Sequence, residues 1–442
     1  MHHSHESLDR PGAIARVGLL APLRDREFRK LWAAMCVSLL GDGAFLVAVA
    51  WQVYDLADTP TAMSVVGIAM TVPTILFLLL GGVASDRFDR RKVMVAADVL
   101  RALSGMVLAG LALSGAIEVW HIAVLAAMYG TGAAFFAPAF DALVPDIVPS
   151  ERLAQANALD QLVRPLVFRM AGPALGGLLV ASAGAGVVFA LDSASFVFSA
   201  ATLMFVRVVT EARPERAPSV ARELVEGWRF VRGRVWLWAT LASAAIAYLC
   251  FMGPVEVLLP YLVKNDLEGS ARDLGMVFAA GGIGSVTFAL AMGQRDTPRR
   301  GISFIYVCWT FATLAVAGYG LSSAMWQLML AALGFNALET AGTIVWATLK
   351  QRHVPRTMLG RVSSIDWLIS IGLLPLSFAL TGPVAAAIGT RATLVAAGVV
   401  GAVVTCAAFF VPGMRDIERR SGAIRRAANV HDRPTGVLAD AG

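Results

Sequence analysis

The chain has 442 residues, of which 57% are hydrophobic and 15% charged, with a mean hydropathy of +0.68. Soluble domains carry about 25% charged residues, so this composition excludes an ordinary soluble domain. The formal net charge of +6 does not imply nucleic acid as a partner, because the cations cluster at the ends of apolar runs, where anionic headgroups of a lipid bilayer explain them.

Residues 1–30 are polar, with Arg10, Arg16, Arg24, Arg26, Arg29 and Lys30, and show no cleavable secretory signal. They are expected to form a cytoplasmic segment. Twelve continuous apolar runs follow, at 31–54, 62–84, 93–114, 119–140, 158–182, 187–206, 236–261, 273–293, 302–321, 325–348, 364–387 and 391–412. Roughly 20 apolar residues suffice to cross a bilayer as a helix. Continuity argues against β-barrel strands, which alternate. Between the sixth and seventh runs, residues 207–235 form the longest polar interval. Val220, Leu224, Trp228 and Val231 recur there at helical spacing, with Arg222, Arg229 and Arg232 elsewhere. That pattern predicts an amphipathic helix on the inner leaflet, or a solvated linker helix. The expected organisation is a six-helix bundle at 31–206, the linker, a second six-helix bundle at 236–412 and a cytoplasmic tail at 413–442.

Orientation follows from Lys and Arg. The stretch GVASDRFDRRK, Gly82 to Lys92, sits between the second and third runs, and a basic loop marks the cytoplasmic side. On that side also fall Arg207 to Arg234, Arg295 to Arg300, Lys350 to Arg361 and Arg415 to Arg433, against Lys264, Arg272 and Arg391 on the other. Both termini are therefore expected in the cytoplasm.

The two halves read as copies. VPSERLAQANALD (Val148–Asp160) matches VPRTMLGRVSSID (Val354–Asp366) at an offset of 206 residues, and Gly172–Pro173 is answered by Gly382–Pro383. Parallel repeats are a feature of transporter folds, with substrate sites at the repeat interface.

Gly82, Asp86, Arg87, Arg90 and Arg91 resemble the loop motif between the second and third helices of the major facilitator superfamily, with Asp89 in place of the usual Gly. GPALGG, with Gly172, Pro173, Gly176 and Gly177, resembles the fifth-helix motif of its antiporter branch, although Phe168 replaces the upstream glycine. FFAPAFDALVPDIVPSERLAQANAL and WATLKQRHVPRTMLGRVSSID are similar to the subgroup of macrolide and enterobactin exporters. The arginine that the proton-coupled branch carries in its fourth helix is absent. The resemblance implies an all-α integral membrane protein of twelve transmembrane helices in two pseudo-symmetric bundles, in the bacterial inner membrane and acting as a monomer. It also implies a conformational latch, in which Asp86 caps the helix beginning near Ser363 and Ser364 while Arg90 pairs with Asp141 or Asp146. A helix N-terminus favours such a carboxylate. Topology determination by Arg90 and Arg91 is the simpler alternative, and close helix packing suffices to explain the GPALGG glycines and proline.

Ionisable residues within the spans carry the remaining information, since a charge at a helix centre costs about 2.5–3.5 kcal/mol on insertion scales and needs a partner or a cavity. Asp42 and Arg169 each lie eleven residues into their runs, so they are expected to pair, either as a proton-coupling site or as a permanent structural ion pair. Glu339, Glu256 and Asp192 are further coupling candidates, with binding of a cationic drug the alternative for Glu339 and Glu256. Asp98, Arg101, Asp160, Arg164 and Asp366 lie nearer the inner ends, where snorkelling to the headgroups is expected. All four cysteines lie in spans without CxxC spacing, and His2, His3 and His5 form no metal motif. No lysine sits in a GK[ST] phosphate loop and no histidine lies deep in a span, so neither ATP-driven pumping nor an enzyme is expected. The reading is a secondary transporter that exports an amphipathic small molecule in exchange for protons, with the proton gradient as its energy source and no cofactor. The alternative is movement of a lysophospholipid-like substrate, or facilitated passage without ion coupling.

Overall fold

The structure is a computed structural model that describes residues 21–149, 152–207, 220–293 and 298–419. Among these residues there are helices and no strand. A bilayer offers no water to an open backbone, so a spanning segment satisfies its N–H and C=O groups within its own helix. In the first half run α1 (Arg26–Leu56), α2 (Pro60–Arg87), α3 (Arg90–Leu113), α4 (Val119–Ile147), α5 (Leu153–Arg164), α6 (Gly172–Ala183) and α7 (Ala185–Met204). After α8 (Val220–Arg232) come α9 (Val235–Tyr261), α10 (Ala271–Gly293), α11 (Gly301–Leu321), α12 (Met325–His353), α13 (Arg356–Gly372), α14 (Leu374–Ile388) and α15 (Thr390–Phe409). Among the described residues, twelve helical stretches are long and apolar enough to cross a membrane.

Several helices run past their apolar runs. The first begins at Arg26 rather than at residue 31, and the third at Arg90 rather than at 93. Asp89 caps α3, its side chain accepting from the N–H groups of Arg91 and Lys92 at 3.0 and 3.4 Å. Two crossings are interrupted. The fifth, Pro165–Ala183, opens with a π-helical turn at Pro165–Ala171, and the eleventh, Met358–Ile388, breaks at Leu373, with proline near the start of α14.

The chain forms two compact units. The first holds residues 1–52 and 69–213, and the second holds 53–68 and 214–442. The tips of α1 and α2 thus group with the second unit, where the Tyr54 hydroxyl donates to the Val257 carbonyl at 2.6 Å. In the first unit, α1 and α6 approach backbone to backbone through the GPALGG glycines. A methyl on Gly176 would stand 2.6 Å from the Ala44 Cα, and one on Gly172 2.7 Å from the Gly43 Cα. In the second unit, the amphipathic helix predicted within 207–235 is present as α8. It lies on α13, with Val231 buried and Glu226 bonded to Arg361 at 2.5 Å, and leaves Trp228 half exposed.

Candidate functional site

The first unit buries four ionisable side chains around Tyr129. Asp98 on α3 and Asp192 on α7 are fully buried, Arg101 is 4% exposed and Tyr129 on α4 is 3% exposed. Asp42 on α1 is the accessible member, its side chain 17% exposed. Arg101 forms an ion pair with Asp98, one helical turn away on α3, and its other terminal nitrogen stands 4.0 Å from Asp42. The Tyr129 hydroxyl donates to Asp42. Asp192 has no hydrogen-bond partner of good geometry, and the charges of Asp42 and Arg101 act on it.

Packing fixes this cluster in place. The Arg101 guanidinium lies 4.6 Å from the Phe136 ring centroid and 4.2 Å from that of Phe196. Cation–π contact of this kind gains strength when desolvated. The arginine stem passes Gly132, where a methyl would come within 2.6 Å of Arg101 Cγ. Gly41 likewise leaves room for Asp192, whose Oδ1 would meet a methyl there at 2.5 Å. Phe45 stacks on Tyr129 with centroids 4.4 Å apart. Ser104 donates to the Leu125 carbonyl and Ser193 to that of Ala102, both at 2.6 Å, so α3 is tied to α4 and to α7.

Of the residues expected from the sequence, Asp42 and Asp192 meet here. Arg169 does not supply the cation. It is exposed, on the π-helical turn at Pro165–Ala171, and Arg101 takes the place foreseen for it beside Asp42. The expectation assumed regular helices starting at residues 31 and 158, which placed the two groups at one depth and said nothing of rotation. Asp98 and Arg101 were assigned to the headgroups because their run was counted from 93. Counted from Arg90, Arg101 lies eleven residues into α3, about 16 Å at 1.5 Å per residue. Glu339 and Glu256 belong to the second unit. There Glu339 accepts from Thr343 at 3.0 Å, and Glu256 sits half buried with Tyr319 in electrostatic reach.

In the loop motif, Arg90 bonds Asp146 and the Ala142 carbonyl, both at 2.5 Å, and Arg91 donates to the Val206 carbonyl at 3.2 Å. Of the two acids offered to Arg90, it selects Asp146 rather than Asp141. Arg87 is exposed, and the Asp86 side chain lies outside the described residues. Gly82 has open space around it, whereas Gly172, Pro173, Gly176 and Gly177 are buried. No group of His, Cys, Asp and Glu among the described residues is arranged to hold a metal ion.

Residues 17–430 match a family of the major facilitator superfamily described as transmembrane secretion effector. The chain belongs to this family. It is therefore a multi-pass membrane transporter of the exporter type and not an enzyme. It is 29% identical over 406 residues to the multidrug efflux pump Tap of Mycolicibacterium fortuitum, covering 88% of this chain and 97% of that protein. It is 23% identical to macrolide efflux protein A of Streptococcus pyogenes (89% and 97% covered) and 28% identical to the enterobactin exporter EntS of Escherichia coli (76% and 80%). Among solved structures, the nucleoside transporter NupG matches with a TM-score of 0.66 at 10% identity, covering 87% of this chain and 98% of that one. A bacterial homologue of the iron transporter ferroportin matches with a TM-score of 0.63 at 18% identity, with the same coverage. At such identities the two structures speak to fold alone.

Proposed function

We propose that the protein exports amphipathic small molecules of the drug, macrolide or siderophore-like class in exchange for protons, by alternating access, with the Asp42–Arg101–Asp98–Asp192 cluster as its coupling site. One observation carries the reading: Asp98 and Asp42 stand against one guanidinium, Asp192 lies buried within reach of their charges, and Asp42 is the member whose side chain keeps some exposure. One cation balances one carboxylate. A membrane interior penalises the excess negative charge, which protons relieve. Asp42 takes up and releases the exchanging proton, and Arg101 passes its attraction between Asp98 and Asp42 as that proton comes and goes. Transport then needs no cofactor and draws on the proton gradient. The names of the relatives support the substrate class.

Under the positive-inside rule the basic Gly82–Lys92 loop and both termini face the cytoplasm, and the protein resides in the bacterial inner membrane. The test is substrate flux in proteoliposomes with and without an imposed pH gradient. Wild type is expected to respond to the gradient, and Asp42→Asn to lose that response. Flux indifferent to pH in the wild type, or an unaffected variant, removes proton coupling and leaves facilitated passage.

A further inference from the structure

A second feature of the first unit takes no part in the ionic cluster. Where α1, α4 and α5 meet, at the end bearing the Gly82–Lys92 loop, they enclose a pocket of about 220 Å³. Phe28, Trp32 and Phe140 supply aromatic walls, Val144 an aliphatic one, and Asp141 and Asp160 carboxylates. The acids differ. Asp160 is engaged by Arg164 at 3.2 Å, and that guanidinium lies 5.9 Å from the Phe140 centroid; its charge reaches Asp141, which accepts no hydrogen bond and forms no ion pair among the described residues. The Trp32 indole N–H is buried and has no acceptor.

The second unit shows what such a place accommodates. At the offset of 206 that aligns the two loops, Phe140 corresponds to Trp346, Val144 to Lys350 and Asp160 to Asp366. There the Lys350 ammonium pairs with Asp366 and lies 5.3 Å from the Trp346 ring, whose N–H donates to Asp366 at 3.0 Å. The fold thus seats an alkylammonium between an aromatic face and a carboxylate. In the first unit valine stands where that lysine stands and Arg164 answers Asp160 from α5, which leaves the pocket beside Val144 with Asp141 as an extra carboxylate on its wall.

We propose that this pocket is a binding subsite for an organic ammonium group, the amine head of a cationic amphiphile. Aromatic rings and an unpaired carboxylate are the chemistry that selects such a cation. Drug-sized ligands occupy pockets of about 300–1,000 Å³, so this one takes the head group and leaves the apolar remainder outside it. An oxygen beside the amine would satisfy the Trp32 N–H. As a subsite of the export path it rests on the function proposed above; as a cation site it stands on the pocket.

Choline is the probe, because it joins an ammonium to a hydroxyl. Equilibrium dialysis of radiolabelled choline against the purified protein in lipid nanodiscs should show saturable binding. Its uncharged isostere, with carbon in place of the ammonium nitrogen, should compete poorly. Asp141→Asn should weaken binding about tenfold, one decade of dissociation constant being a change that loss of a charged contact accounts for. Val144→Lys, which installs the ammonium the second unit already owns, should abolish it. Absence of binding in wild type, equal competition by the isostere, or full binding by both variants would each overturn the proposal. Asp42→Asn should bind choline as wild type does; wild-type flux indifferent to the pH gradient, with choline binding intact, would condemn the coupling site and spare this one.

Discussion

The two units share a plan and differ in what they bury. Phe45 and Tyr129 stack in the first unit, and their counterparts at an offset of 206, Phe251 and Phe335, meet edge to face with centroids 5.6 Å apart in the second. Around that pair the chemistry diverges. Asp42 corresponds to Tyr248 and, at an offset of 208 between α3 and α11, Asp98 corresponds to Tyr306 and Arg101 to Trp309. Arg101 lies over Phe136, while Trp309 packs against Gly342, the counterpart of Phe136. Tyr306 shares a neutral hydrogen bond of 3.0 Å with Thr240. Among the described residues the second unit packs this region with aromatic rings and no ion pair, so the scaffold does not require charge there. The charge in the first unit is therefore open to the coupling role proposed for it.

The most severe way to break the comparison is to remove the cation. Arg101→Ala leaves Asp98, Asp42 and Asp192 without a counter-charge in a desolvated core, and is expected to cost about 3–5 kcal/mol, enough to lower the yield of folded protein. Copying the second unit should cost less. Asp98→Tyr, Arg101→Trp and Phe136→Gly together restore a neutral aromatic core and supply the space that Trp309 uses. Thermal unfolding in detergent should rank wild type and the triple variant above Arg101→Ala, and the triple variant should have lost the pH response of flux. If it unfolds as readily as Arg101→Ala, the two cores are not interchangeable.

Next comes the α1–α6 contact. Gly176→Ala places a methyl 2.6 Å from the Ala44 Cα, a backbone atom that cannot move aside cheaply. Overpacking of this kind costs about 1–3 kcal/mol, and the same unfolding measurement reads it. Gly82→Ala has open space around it and should change little.

The sequence carried the architecture because hydrophobic run length and basic loops are one-dimensional signals. Twelve runs became twelve spans, and the linker helix appeared where Trp228 and Val231 predicted it. The partner of Asp42 was not legible in that way. Arg169 lies eleven residues into its apolar run and Arg101 eleven into α3, and such counts say nothing of the rotation that decides which one faces the acid. Rotation depends on where a helix truly begins and whether it is regular, and here Asp89 starts α3 before its apolar run while a π-helical turn carries Arg169. The i,i+3 spacing of Asp98 and Arg101 did place both on one face. Within an apolar span that spacing was the available clue to a buried pair.

A milder change tests the second unit's own ion pair. Lys350→Met removes the ammonium from Asp366 but leaves the Trp346 N–H bonded to it. A charged hydrogen bond is worth about 1.5–3 kcal/mol, and the side chains of Lys350 and Asp366 are 13% and 15% exposed, so a loss near the lower end is expected.

The smallest effect belongs to the tips of α1 and α2, residues 53–68. Lys264 pairs with Asp55, but Asp55 is 47% exposed, and Asn265 bonds Asp58 at the surface. Exposed pairs contribute roughly 0.2–1 kcal/mol, so Asp55→Asn should shift unfolding by about 0.5 kcal/mol and by less in high salt. Tyr54→Phe, which loses a buried hydrogen bond to the Val257 carbonyl, should cost about 1 kcal/mol whatever the salt. Pairs this weak add little to what the buried Tyr54 hydrogen bond contributes in holding the segment to the second unit. Were Asp55→Asn to cost as much as Arg101→Ala, the contrast between a buried ionic centre in the first unit and exposed polar pairs at these tips would fail.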